Sequence, residues 1–171
     1  MNDLNKTGVI GLGTMGRGIA LLAAKAGETV MAYDSDEKAF KEAREHTIQR
    51  LDKAVEKGKI SREEAARAQQ RIIWAEDIHA FSGCGLVIEA ISEDIAVKKK
   101  VFRGLEEVVG SRCIVATNTS SLPVTAIAGA CKTPERVIGT HFFNPADVMP
   151  LVELVPALQT DKNVTDSTRR R

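Results

Sequence analysis

The residues best suited to chemistry in this chain fall into two groups, one near each end. In the first, Gly11-Leu12-Gly13-Thr14-Met15-Gly16 follows the apolar residues Val9 and Ile10, and an Ala/Leu-rich segment runs from there to Gly27. Gly11 permits a tight turn, Gly13 lets the backbone approach a pyrophosphate, and Gly16 lets a helix pack closely on a strand. Thr14 and Met15 open that helix, where unpaired N–H groups and the helix dipole favour an anion. A second apolar run, residues 29–33, ends on Asp34, 18 residues after Gly16. A carboxylate there can accept both hydroxyls of an adenosine ribose. Strand, glycine turn, helix, strand and terminal acid in this order specify a dinucleotide site.

The second group lies between residues 118 and 153. Asn118-Thr119-Ser120-Ser121 follows the apolar run 114–117. Small polar side chains there can donate to a carbonyl or carboxamide, and a Ser-rich turn or helix cap has the same composition. His141-Phe142-Phe143-Asn144-Pro145 follows the run 137–140. His141 is the best single candidate for proton transfer, because imidazole titrates near neutral pH. Glu153 stands inside Leu151-Val152-Glu153-Leu154-Val155. A carboxylate among four aliphatic residues is costly to bury unless something pairs with it. If residues 145–150 fold back, Glu153 meets His141 and orients its ring.

These groups need elements to position them. Apolar runs of strand length recur at 7–10, 29–33, 86–90, 114–117, 137–140 and 151–155. Most are continuous rather than alternating, as expected for strands covered on both faces, and helical segments separate most of them. The fold class is therefore α/β, a Rossmann-type, doubly wound and mainly parallel sheet with its ligand at the carboxyl ends of the strands. Residues 36–70 break the pattern. Phe40, Ala43, Thr47, Leu51 and Ala54 form one narrow apolar stripe on a charged helix, Gly58 ends it, and Ser61 with Glu64 forms a capping box for a second helix. The expectation is a helical hairpin projecting from the sheet, either a solvated excursion or a substrate-docking arm.

Length and composition bound the rest. The 171 residues suit one domain, and a formal charge of +1 with mixed signs offers no field for nucleic acid or a membrane surface. Cys84, Cys113 and Cys131 have no CxxC spacing and do not cluster with His46, His79 or His141, so no metal site is expected. The polar start, Met1 to Lys6, does not read as a targeting segment, and no apolar stretch approaches the roughly 18 residues of a membrane span. A cytoplasmic setting is expected.

The stretches GLGTMGRGIA (11–20), VIEAISE (87–93), NTSSL (118–122), HFFNP (141–145) and LVELV (151–155) together carry a resemblance. The chain resembles the NAD-binding domain of L-3-hydroxyacyl-CoA dehydrogenases from about residue 7 to about 171. That family oxidises the 3-hydroxyl of an acyl-CoA thioester and passes hydride to NAD. The resemblance implies His141 as general base, Glu153 as its carboxylate partner and Ser120 on the reacting oxygen. It implies Glu93, Lys98 and Asn144 on the nicotinamide and ribose side, with Asn118 also in the cofactor site and Asp34 on the adenosine ribose. The 36–70 hairpin matches the family's CoA-docking arm, with Lys57 at a basic phosphate-contacting position and Arg50 where some members have Ser. Gulonate and carnitine dehydrogenases, and crystallin-type relatives that are structural proteins, resemble the same fold and keep related His and Glu motifs. Phe142-Phe143 leans towards acyl-CoA.

Family members continue into a helical second domain that completes the cleft and forms a dimer interface, and this sequence reaches Arg171 before any such element. The expectation is an amino-terminal domain, mainly monomeric, from a homodimeric parent, able to bind NAD and weak in turnover because half of the cleft is missing.

Overall fold

The computed structural model describes residues 3–171. In chain order the elements are β1 (Asp3–Ile10), α1 (Thr14–Ala26), β2 (Thr29–Tyr33), α2 (Glu37–Glu56), α3 (Arg62–Arg71), β3 (Ile72–Trp74), β4 (Cys84–Glu89), α4 (Ile95–Val108), β5 (Ile114–Thr117), α5 (Val124–Ala128), β6 (Val137–Phe142), β7 (Val152–Pro156) and α6 (Lys162–Arg169). The strands form one seven-stranded sheet in the order β3-β2-β1-β4-β5-β6-β7. Every pairing is parallel except that of β6 with β7.

The apolar runs are continuous because successive side chains enter different cores. Strand residues alternate between faces. Along β4, Leu86 and Ile88 join Val9 and Ile19 on one side, while Val87 joins Phe102 and Leu105 on the other. β7 is the exception. As an edge strand it leaves Val152 and Val155 exposed.

Two elements differ from expectation. β3 is only three residues long and follows directly on α3, so its apolar signal is absorbed into the end of the helix. β6 continues through His141 and Phe142, which places the histidine within the strand rather than after it. The helical hairpin forms as the sequence predicts, including the reciprocal Ser61–Glu64 capping box. Its inner face does not stand free of the domain, however. Leu51, Ala65 and Ala68 pack with Leu21 of α1, and Phe40 meets Trp74 edge to face at 5.7 Å.

β2 and β3 lie to one side of β1, and β4 to β6 lie to the other, so the direction of winding reverses between β1 and β4. Beyond the carboxyl ends of such a pair, the loops diverge and leave a crevice.

Candidate active site

The glycine turn sits at that crevice. Gly11 has φ +88°, and a Cβ there would lie 2.7 Å from the Ala90 carbonyl carbon and the Ile91 nitrogen, so the backbone just past β4 excludes any side chain. A Cβ on Gly16 would lie 1.7 Å from the Gly11 oxygen. Gly13 is different: its Cβ position has nothing within 4 Å, which leaves room for a ligand against the backbone. Gly13 is also the N-cap of α1 and supplies no side-chain cap. The first amides of the helix, at exposed Thr14 and half-buried Met15, therefore begin without the internal acceptor that usually occupies them. Asp34, just past β2, accepts the Leu12 N–H at 2.6 Å and the Asp36 N–H at 2.9 Å, which holds its carboxylate against the glycine turn. These residues fit a dinucleotide, with phosphates over Gly13 and a ribose at Asp34.

On the other side of the crevice, Glu93 organises the loop after β5. One of its oxygens accepts from the Thr119 hydroxyl, the Ser120 N–H at 3.2 Å, and the Ser121 N–H and hydroxyl at 3.3 and 3.1 Å. Burial opposes the charged form of Glu93, but the Thr119 hydroxyl, the Lys98 ammonium and the two Ser121 donors outweigh it and hold the carboxyl down at about 2. Ser120 itself is left exposed. Asn118 uses its Oδ1 to accept the Phe142 N–H at 2.9 Å and so ties this loop to the end of β6. Lys98, expected beside the ribose, has its side chain sealed at 1% exposure. It bonds Glu89 at 2.6 Å, Glu93 at 3.4 Å and the Ile91 carbonyl at 3.5 Å, and Glu93 links it to the crevice.

His141 and Glu153 stand directly opposite one another in the β6–β7 register. The imidazole Nδ1 lies 2.8 Å from the Glu153 carboxylate, and the ring rests 4.8 Å from that of Phe143. The reason for the pairing is not the expected one. Glu153 is 56% exposed on an edge strand rather than buried, so register, not burial, brings it to the histidine. Asn144 is exposed two residues past the end of β6.

The arm residues separate. Lys57 is exposed at the C-cap of α2, beside a basin that Lys25, Lys53 and Lys59 also line. Arg50 lines the same basin, but its guanidinium bonds Asp147 through both Nε and Nη2. Among the described residues, no group of three or more His, Cys, Asp or Glu could hold a metal ion, and burial pushes the Cys113 thiol up to about 12.

Residues 6–170 match the family described as 3-hydroxyacyl-CoA dehydrogenase, NAD binding domain. The chain belongs to this family. Among its relatives, the 3-hydroxyadipyl-CoA dehydrogenase of Escherichia coli (strain K12) is 46% identical over 97% of this chain and 35% of its own length. The 3-hydroxybutyryl-CoA dehydrogenase of Mycobacterium tuberculosis (strain CDC 1551 / Oshkosh) is 42% identical over 95% of this chain and 57% of its own. The crystal structure of M. tuberculosis FadB2 superposes with a TM-score of 0.95 at 40% identity, covering 99% of this chain and 60% of that one. The chain spans about a third to three-fifths of the length of those relatives.

Sequence reasoning passed over Glu89 and Asp147. Glu89 is fully buried and bonds Lys98, the Thr117 hydroxyl at 2.7 Å and the Ile91 N–H at 2.7 Å. An acid inside the apolar run 86–90 is the same signal that singled out Glu153. Asp147 carries no local signal, because its partner is 97 residues away.

Proposed function

We propose that this domain serves an enzyme that oxidises the 3-hydroxyl of an acyl-CoA thioester to a ketone. The observation that carries this reading is the His141–Glu153 pair, set at the carboxyl end of the sheet on the same side as the glycine turn. With Nδ1–H donated to the carboxylate, Nε2 is the free basic nitrogen and can take the proton of the substrate hydroxyl. Glu153 keeps that tautomer and stabilises the imidazolium that forms. Ser120 donates to the reacting oxygen as it gains carbonyl character. NAD, when bound, would supply the hydride acceptor. Gly13 and the first amides of α1 hold the pyrophosphate, Asp34 the adenosine ribose, and Glu93, Asn118 and Asn144 the nicotinamide side. Lys57 and the lysines around it offer charge to the phosphates of CoA. The relatives' names support a 3-hydroxyacyl thioester as the substrate class while differing in the acyl group, adipyl in one and butyryl in another.

Initial rates test the reading. The enzyme is expected to reduce acetoacetyl-CoA with NADH and to leave gulonate and dehydrocarnitine untouched. His141→Gln should lower kcat at least about 100-fold, the scale of general-base loss, with NADH binding by fluorescence unchanged. Preference for gulonate or dehydrocarnitine, or wild-type kcat in His141→Gln, would overturn it.

A further inference from the structure

The turn between His141 and Glu153 is held from two sides. The Val148 and Met149 amides both donate to the Pro145 carbonyl at 3.0 Å, which makes residues 145–149 one compact unit. From α1, Gly18 seats it: a Cβ on Gly18 would lie 3.2 Å from the Cβ of Ala146, itself only 3% exposed. From α2, Arg50 grips it, with Nε at 3.0 Å and Nη2 at 2.5 Å from the same oxygen of Asp147. The Asp147 side chain is 9% exposed and that of Arg50 36%, so the ion pair is partly shielded from solvent on its carboxylate side. His46, one turn earlier on α2, also feels the Asp147 charge, which favours its protonated form, but burial and then the charges of Arg17 and Arg50 outweigh it and hold the imidazole below the ordinary value, and its Nδ1 is buried without a hydrogen-bond partner.

We propose that Arg50 and Asp147 are positioning residues that lock the 145–149 turn to the α2 arm, so that a thioester held on the arm is set in register with Asn144 and the His141–Glu153 pair. The proposal rests on the acyl-CoA reading above. It also gives Arg50 a different task from the CoA contact that its place on the arm implies by the family resemblance. A half-buried carboxylate already claims the guanidinium, and the lysines of the basin remain for the phosphates. Near-attack geometry is sensitive at this scale, since a displacement of about 1 Å far from the reacting atoms can cost about 100-fold in rate.

The test uses Asp147→Asn, Arg50→Gln and their double variant in the intact enzyme, assayed with acetoacetyl-CoA and with S-acetoacetyl-pantetheine, which lacks the nucleotide phosphates. Hydrogen exchange is measured across residues 144–149. Each single variant should lower kcat about tenfold or more with both thioesters, and the double variant should be no worse than either single, as expected for partners in one interaction. NADH affinity should hold and exchange of the turn amides should accelerate. Gly18→Ala, which displaces the same turn without touching a charge, should reproduce the loss in kcat. If Arg50→Gln raised KM for the CoA thioester alone and Asp147→Asn were silent, Arg50 would be a phosphate ligand and the proposal would fall. Unchanged exchange in Asp147→Asn would also overturn it. If the wild-type enzyme reduced neither thioester, the acyl-CoA reading would fail, and the exchange comparison would still decide whether the pair holds the turn.

Discussion

Two glutamates in this domain sit inside aliphatic strands, and the structure treats them in opposite ways. Glu89 ends β4 in the middle of the sheet, fully buried, with its charge met by Lys98 and its remaining capacity met by Thr117 and the Ile91 amide. Glu153 lies on β7 at the edge, more than half exposed, with His141 as its partner. The first belongs to a sealed network that joins β4, α4 and β5 and leads outward to Glu93. The second stays accessible to solvent and ligand. A central carboxylate must be matched before the chain can fold around it, whereas an edge carboxylate is free to act on a neighbour whose protonation changes during a reaction. Aliphatic flanks alone do not say which of the two a glutamate will be.

The largest expected effect breaks the interior member of this comparison. Lys98→Met leaves Glu89 as an unpaired buried charge and should cost about 3–5 kcal/mol of stability by chemical denaturation. Replacing both partners in Glu89→Leu/Lys98→Met should recover much of that loss, because no charge then remains inside. Glu153→Gln on the edge should change stability by less than about 1 kcal/mol, the scale of solvent-screened pairs, while slowing turnover. Equal losses of stability in Lys98→Met and Glu153→Gln would erase the distinction between interior and edge.

Asp34 sharpens the comparison with a carboxylate at a strand end whose partners are backbone amides rather than a cation. A 2′-phosphate placed against it meets like charge, so NADH should bind more tightly than NADPH by about tenfold or more, an energy of about 1.4 kcal/mol. Asp34→Ala should narrow that gap in a fluorescence titration. Equal affinity for the two cofactors in the wild-type domain would mean that Asp34 does not face the ribose.

The smallest effect concerns Glu93, which lies between the two extremes with its side chain 39% exposed. Its carboxyl is held at about 2, against an ordinary value of 4.5. A depressed pKa stabilises the fold above about 4.5, and that contribution is lost as the pH falls towards about 2. Glu93→Gln should therefore lie below wild type in thermal stability at pH 7, with the gap closing between pH 4.5 and 2. A gap independent of pH would mean that shape, not charge, supports the loop.

The dinucleotide half was legible because its logic is local. Glycines at fixed offsets, a helix without a side-chain cap and an acid at the next strand end are read within about 30 residues, and the backbone geometry they demand leaves few other residues acceptable. The capping box was equally legible, since both of its hydrogen bonds span three residues. β3 was not, because three residues after a helix carry too little period to read.

The sequence by itself determined the sheet class, the residues of the glycine turn, the two helices of the arm and the residue types able to move a proton. Only the tertiary structure decided that β7 runs antiparallel at an open edge and sets Glu153 opposite His141, that Lys98 is sealed between two acids, and that Arg50 pairs with Asp147. The physical reason is range. Turn geometry and capping act between neighbours in the chain, while burial, register and ion pairing across 97 residues depend on where the sheet places each strand end.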